Sequence, residues 1–600
     1  MVQLIGAVLA WRHLEHKGSL LNDRCRSPGY CPLGWLHGDD PEIPAAGDFQ
    51  QGATSSRAGN AVRSRACRRF RTALVQQTNI DQKRRGTKMT GKHESDTPCD
   101  CCGEPIEPRF GRRSLLLGAS GIACTGVFGL AAPALIAPSP ARAQQSAPRA
   151  LPDRREYLIK GGSLLTVDEK LGNIEGADIH VRNGEIVAIG ANLQAPGAEV
   201  IDASRMIVMP GMIDTHFHIW TSIMRNMLAP GLEYFGVKRA FVPQMTPQAF
   251  YASDMLAMAE SLNAGVTTLH NYCHHVMSQE TVEAEMRAHK DSGMRALFTF
   301  GHHDQLAKDK LIDLELAGHI QKQWFDANSP FEKLVSFGLN SRGPATLTEK
   351  LFRTEMDWAF ERGLPVAMHA GQGGYSYGVV PLKTWGYLGP KTIIVHFVHA
   401  KPEDRAAMAE TGAPLSYSVH SELRLGNSGY QAQQLVHMFN DGVNVSLSFD
   451  ANALAPIDMF ESMSSAWYMG IPFKGLDTEK SKPINFADVI KMGTINSAKA
   501  LGIADRTGSL TVGKRADIVL VRADDLNMLP YGRPEAMIGR TARAANVDTV
   551  LVDGRVMKRG GKLVGLDVER IKEEAVREAY DLRKRAGGDM AALSDWAKIH

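Results

Sequence analysis

Met206-Ile207-Val208-Met209-Pro210-Gly211-Met212-Ile213-Asp214-Thr215-His216-Phe217-His218 is the stretch around which the chain is organised. An apolar run feeds a Pro-Gly and then two histidines in alternation, the pattern of a buried strand that ends at a site. Alternate residues of a strand share a face, so His216 and His218 point the same way. Both imidazoles can then reach one cation at the carboxyl end of the strand, where parallel barrels keep their chemistry. A surface loop seldom follows an apolar run this directly.

Outward from this stretch, residues 209–502 alternate strand runs with helical stretches, which argues for a parallel sheet and most simply a (β/α)8 barrel. The strand candidates are Ile207–Ile213, Val266–Leu269, Ala296–Phe300, Leu334–Gly338, Pro365–Met368, Thr392–Val395, Pro414–Tyr417 and Val443–Phe449. Polar residues cluster just past them: His216 and His218, Asn271 and His274, His302 and His303, Asn340, His369, His396 and His399, His420, and Asp450. Strand ends on one face of a barrel converge on a common pocket, so this distribution itself points to a site. The Met255, Met258, Ala259, Leu262 series has helical spacing and reads as core.

The flanks read differently. Residues 155–208 hold short strands and turns, with Asn183-Gly184 between alternating apolar residues as a hairpin signal. The same texture returns at 503–565, so both ends are expected to build one small β-sandwich. Residues 566–600 carry an amphipathic helix, from Ile571 to Arg585, that packs on the barrel or on a partner subunit in a homo-oligomer.

The amino-terminal part shows no such order. Residues 1–88 have no sustained period of two or 3.6, and are expected to be unstructured or not translated, with Met89 as the start. Residues 89–143 contain Gly111-Arg112-Arg113-Ser114-Leu115-Leu116-Leu117, an apolar run broken by glycines and Pro133, and Ala141-Arg142-Ala143: a twin-arginine export signal rather than a membrane anchor. Export to the periplasm follows, with no membrane segment after cleavage. Seven of the eight cysteines precede the cleavage pattern, leaving Cys273 and no internal disulfide, so stability must come from a large core. A formal net charge of +3 over 600 residues offers no nucleic-acid surface. The partner is a small-molecule substrate.

The stretch from Met209 to His218, with the bracketing sandwich, resembles the amidohydrolase superfamily, and within it the triazine hydrolase and aminohydrolase-like (TRZ/ATZ) group. The resemblance runs from about Arg155 to Lys562. It is carried also by Asn496-Ser497-Ala498-Lys499-Ala500-Leu501-Gly502, by Gly508-Ser509-Leu510-Thr511-Val512-Gly513-Lys514-Arg515-Ala516-Asp517 and by Ser421-Glu422-Leu423-Arg424-Leu425-Gly426. It implies a metal held by His216, His218, His369 and Asp450, with His396 as a further ligand or as a group for substrate or the attacking water.

The chemistry also follows from residue types. Three neutral imidazoles and a carboxylate leave a divalent cation with an open position for water, whose pKa falls toward neutrality. One zinc suits such ligands, and iron or manganese would too. Asp450 is then the general base; otherwise it caps a helix, and His396 is a core histidine with His399 as the competing choice. In the deaminase branch of the family, a glutamate three residues past the strand-five histidine shuttles protons; here that position is Gln372, which cannot. This favours hydrolysis of an amide, urea or carbamate-like bond over deamination. Asn340 stands where a carboxylated lysine would bridge two metals, so one metal is the simpler inference.

Trp220, Arg225, His302, Asn340, Gln372 and Glu422 are the substrate-facing candidates. Glu422 either replaces the missing proton shuttle or pairs with Arg424 or Arg225 in a loop. The glycine-rich Gly371–Gly378 segment reads as a lid. The alternatives to the carbonyl hydrolase are a deaminase or hydrolytic dehalogenase of a nitrogen heterocycle, and a non-catalytic binding protein on the same fold.

Overall fold

The computed structural model describes residues 150–228, 233–370, 377–425 and 431–592. The amino-terminal prefix, the twin-arginine region and Gln372, with most of the expected lid, lie outside them.

The described chain opens with β1 (Tyr157–Leu164), β2 (Ile174–Arg182), β3 (Glu185–Gly190), β4 (Glu199–Asp202) and β5 (Met206–Pro210). It continues with β6 (Met212–His218), β7 (Val266–Cys273), β8 (Arg295–Phe300), β9 (Val335–Asn340), β10 (Val366–Ala370), β11 (Thr392–His396), β12 (Leu415–Tyr417), β13 (Val445–Leu447) and β14 (Asp450–Ala451). It returns as β15 (Ile518–Arg522), β16 (Val547–Val552), β17 (Arg555–Arg559) and β18 (Lys562–Leu563).

Strands β6 to β13 pair in sequence order, every pair parallel. Helices such as Pro247–Asn263, Gln279–Ser292, Leu314–Trp324 and Glu349–Glu361 make the crossovers that parallel strands require. β14 pairs with β6, setting Asp450 against Phe217 and Ala451 against His218. Since β13 and β14 are the two ends of one run, the sheet returns to its first strand and closes. The Thr215 hydroxyl donates to the Leu447 carbonyl oxygen across this seam at 3.0 Å. Met255, Met258, Ala259 and Leu262 are buried in the main core with the barrel strands.

The first strand departs from the expected Ile207–Ile213. Ile207 and Val208 pair with β15 and β1, and the chain changes sheets at Gly211 rather than entering the barrel at residue 209. The Gly211 N–H donates to the Asp517 carbonyl oxygen at 2.8 Å, and the next N–H, of Met212, to the Gly265 carbonyl oxygen at 3.2 Å. A side chain at Gly211 would run into the Thr267 hydroxyl. Only glycine lets the backbone come this close to β7 while it switches partners.

The second sheet has the order β18-β17-β16-β15-β5-β1-β2-β3, with β4 on β1, so both ends of the chain build it. Asn183 and Gly184 both take positive φ, 53° and 77°, as a tight hairpin between β2 and β3 demands. The sheet folds back on itself: the Ile186 N–H donates to the Lys514 carbonyl oxygen and the Ala516 N–H to that of Gly184, each at 2.9 Å. Ile159, Ile179, Val208, Ile518, Leu520 and Leu551 fill the interior it encloses. Arg295, at the start of β8, clamps the two sheets with bonds to Asp517 of 2.6 and 3.0 Å.

The helix Val568–Ala586 buries Ile571, Ala575 and Leu582 against the barrel layer that includes Phe241 and Phe250. Among the described residues, no helix is long and apolar enough to cross a membrane.

Candidate active site

Strand order brings the distant histidines together. His216 and His218 end β6, His369 lies at the end of β10, His396 is the last residue of β11, and Asp450 opens β14. Asp450 Oδ1 lies 3.2 Å from His216 Nε2 and 3.3 Å from His218 Nε2. His369 Nε2 lies 3.3 Å from His216 Nε2. The ligating atoms of His216, His218 and Asp450, and those of His216, His369 and His396, each fall within 4.8 Å of one another. His216 is fully buried and His218, His396 and Asp450 nearly so. Two imidazole nitrogens this close, beside a carboxylate oxygen, fit a shared divalent cation.

The protonation states agree with that fit. Burial pushes His216 and His369 well below the ordinary imidazole range, which keeps them neutral, the form that binds a metal. Burial alone would raise Asp450, but the His216 and His218 imidazoles packed against its carboxylate hold it well below the ordinary carboxylate range. His218 Nδ1 donates to the Tyr272 carbonyl oxygen at 3.1 Å, leaving Nε2 with the lone pair. His396 Nδ1 lies 2.8 Å from Glu422 Oε1, which also accepts the Ser418 N–H at 3.2 Å. Burial lowers the His396 imidazole, and the Glu422 carboxylate outweighs this and raises it.

The backbone is bent to serve this geometry. His396, Phe397 and Asp450 take φ of 71°, 49° and 66°, a region costing about 1–3 kcal/mol for each non-glycine residue. A bond of 2.6 Å from the Phe397 N–H to the Ala370 carbonyl oxygen helps hold the turn. Asp214 pins the other side: its carboxylate accepts the N–H groups of His216 and Phe449 at 3.0 and 3.4 Å.

The remaining sequence candidates divide. A cavity of about 790 Å³ is lined by His218, His369, His396 and Asp450, and His302 lines it too. Trp220 does not: it is fully buried behind the site, with ring centroids 4.5 Å from His275 and 5.9 Å from His218. Arg225 is drawn away to Glu260 and Asn452. Asn340 is structural, its amide donating to the carbonyl oxygens of Cys273 and Thr299 at 3.0 Å each. Glu422 pairs with neither Arg424 nor Arg225. Arg424 bonds Glu233, and Glu422 is fully buried on His396. His399, the competitor of His396, is exposed. Sequence reasoning missed Lys238, His275, Asp304 and Arg342 in the cavity wall. The doublets His274-His275 and His302-His303 just past β7 and β8 were the available signal; Lys238, on the helix Tyr234–Phe241, carried none.

A closed parallel barrel with imidazoles and a carboxylate converging at the carboxyl ends of its strands defines a metal-dependent hydrolase of small molecules. The chain belongs to the amidohydrolase family, whose model matches residues 207–557, and so to the hydrolases of carbon–nitrogen bonds other than peptide bonds. That membership sets aside the reading as a non-catalytic binding protein. The chain is 26% identical over 448 residues to a 5'-deoxyadenosine deaminase of Methanosarcina barkeri, covering 72% of this chain and 99% of that protein. It is 25% identical over 440 residues to a 5-methylthioadenosine/S-adenosylhomocysteine deaminase of Pyrococcus furiosus, covering 70% and 99%. Among solved structures, an adenosine deaminase from Xanthomonas campestris with bound zinc shares the fold with a TM-score of 0.63 at 21% identity, covering 72% of this chain and all of that one. Atrazine chlorohydrolase from Arthrobacter aurescens, complexed with zinc, shares it with a TM-score of 0.61 at 21% identity, covering 70% of this chain and all of that one.

Proposed function

We propose that this enzyme is a member of the TRZ/ATZ group that hydrolyses an amide, urea or carbamate-like bond. His216, His218, His369 and Asp450 hold one divalent cation, and zinc matches this donor set best. The observation that carries the reading is the convergence of these residues with His396 on one cavity, combined with glutamine rather than glutamate three residues after His369. A cation bound there supplies Lewis acidity and a water that ionises near neutral pH. Asp450 takes a proton from the attacking water at its carboxylate and delivers it to the leaving nitrogen. His396, oriented through Nδ1 by Glu422, presents Nε2 to the site. The test is metal analysis of the mature protein from about Gln144, paired with a screen of amides, ureas, carbamates and aminated heterocycles. About one equivalent of metal with turnover of carbonyl substrates and no ammonia from ring amines is expected. His216→Ala and Asp450→Ala should fold and lose turnover; activity retained in either would overturn the assignment.

A second reading has its own support. Glu422 gives the site a buried carboxylate on His396, and the curated relatives are deaminases. Under this reading the Glu422–His396 pair does the proton transfer that Gln372 cannot, and a heterocycle loses ammonia or halide. Release of either from a ring substrate, abolished in Glu422→Gln, would establish it.

We further propose export to the periplasm by the twin-arginine route, on the strength of Arg112-Arg113, the apolar run after them and Ala141-Arg142-Ala143. R112K/R113K should leave the precursor in the cytoplasm; unchanged export would refute the signal.

A further inference from the structure

The cavity has a second polar wall that the hydrolytic step leaves unused. Lys238 is buried there, and its Nζ bonds His274 Nε2 at 2.8 Å and Asp304 Oδ2 at 2.8 Å. An ammonium has three N–H donors, so a third is left for the cavity that Lys238 lines. By accepting at Nε2, His274 must carry its proton on Nδ1, and that buried nitrogen has no partner. His275 is only 1% exposed; its Nε2 lies 3.7 Å from Asp304 Oδ2, and neither ring nitrogen has a hydrogen-bond partner. Each buried donor left unpaired costs about 1–3 kcal/mol. The Lys238–Asp304 ion pair does not relieve that cost, whereas an acceptor seated on Lys238 at the cavity wall would, by a turn of the two imidazoles to meet it.

The charge balance says what kind of acceptor. Four cationic side chains line the cavity, Lys238, Arg239, Lys308 and Arg342, against two carboxylates, Asp304 and Asp450. The excess is positive before any cation at the histidine cluster is counted, which draws anions in. Arg342 is engaged with the carbonyl oxygens of Ala307 and Lys310 and with Glu355, though its buried Nε has no hydrogen-bond partner; Lys238 is the buried cation that stands directly against His274. His274, His275 and Asp304 also ring a point, but the Lys238 ammonium stands against two of the three and repels a metal ion there.

The ring centroids of His218 and His274 are 4.4 Å apart, so one imidazole separates Lys238 from the ligand cluster. We infer that Lys238, His274 and His275 form a subsite for a carboxylate carried by the substrate a few bonds from the scissile bond. This rests on the hydrolase reading proposed above and names its substrate class: small N-acyl or ureido carboxylic acids. Tyr234, Phe235, Val242 and Leu425 offer the apolar lining for the rest of such a molecule.

The test is binding, not turnover. Calorimetry on the metal-loaded enzyme compares 3-phenylpropionate with the uncharged 3-phenylpropanol. In Lys238→Met the dissociation constant of the carboxylate should rise at least tenfold while that of the alcohol changes less than twofold and metal content stays constant. Asp304→Asn, which removes the competing carboxylate without emptying the wall, should bind 3-phenylpropionate severalfold more tightly, and supplies the readout if the lysine variant does not fold. Carboxylate affinity unchanged in both variants would overturn the subsite. A second equivalent of metal in the wild type, lost in Asp304→Asn, would overturn it in favour of a cation site. Because no reaction is required, failure of the hydrolase reading in the substrate screen leaves this outcome separately legible.

Discussion

Glu422→Gln separates the charge at this position from its hydrogen bonds. Glu422 Oε1 accepts from His396 Nδ1 at 2.8 Å and from the Ser418 N–H at 3.2 Å. A glutamine carbonyl oxygen in the same place accepts both, so stability should fall by no more than about 1 kcal/mol. What disappears is the negative charge behind His396. Loss of such an outer partner of a metal-site histidine typically costs about 10–100-fold in activity or metal affinity, or about 1.4–2.7 kcal/mol. Glu422→Ala is different in kind. It strands two buried donors at about 1–3 kcal/mol each, so a stability loss of about 2–6 kcal/mol is expected before any cavity is counted. The assay is kcat and kcat/KM on the best carbonyl substrate, metal affinity by competition with a chelator, and unfolding in urea for both variants. Glu422→Gln with wild-type turnover and metal affinity would refute a role for the charge. Glu422→Ala with stability within about 1 kcal/mol of wild type would refute the burial argument itself.

Arg295→Met should cost about 3–5 kcal/mol in urea unfolding, because it leaves the buried carboxylate of Asp517 unpaired; R295M/D517L, which removes both charges, should recover most of the loss. Gly211→Ala should destabilise by at least about 1–3 kcal/mol by thermal unfolding, since its methyl group meets the Thr267 hydroxyl. Lys558 gives a pH signature: burial lowers its ammonium to about 8. Between that value and the unfolded pKa of about 10.4 the unfolded chain binds more protons, so stability should rise with pH across the window. Lys558→Met should remove that rise, and identical wild-type and variant pH profiles would refute the shift.

The barrel was legible because its signal is local and repeated. Each strand is an apolar run short enough to see, and each site histidine stands just past one. Alternation along a single strand was enough to pair His216 with His218. His369 and Asp450 needed the family resemblance, since nothing local says that β10 and β14 open onto the same point. The failures share a cause. Trp220, Arg225 and Asn340 occupy positions from which a side chain can turn toward the cavity or away from it, and rotamer and packing decide which. Asn340 turned to bridge two carbonyl oxygens, while Arg225 found a carboxylate on the neighbouring helix. Of the two readings open for Glu422, the salt bridge failed for the opposite reason. Arg424 two positions away offered a partner of obvious chemistry, while the true one, His396, lies 26 residues back in the chain.

The error at Gly211 says most about how the fold serves the site. Read alone, Ile207 to Ile213 is one strand, and hydrophobicity gives no reason to break it. The break exists because Asp517 does two things at once: its backbone carbonyl oxygen accepts the Gly211 N–H, and its carboxylate holds Arg295. The foot of β6 and the foot of β8 are therefore referred to one residue of the second sheet. From Gly211 to His216 is five residues of chain, about 16 Å if extended, and its ladder with β7 shifts register between Met212 and Ile213 and again between Asp214 and Phe217, so the point at which the strand starts has to be fixed from outside the barrel. A one-residue slip there would turn His216 and His218 away from Asp450 and face Thr215 and Phe217 toward it. The second sheet contributes no metal ligand, yet it holds the register at which the ligand strand begins.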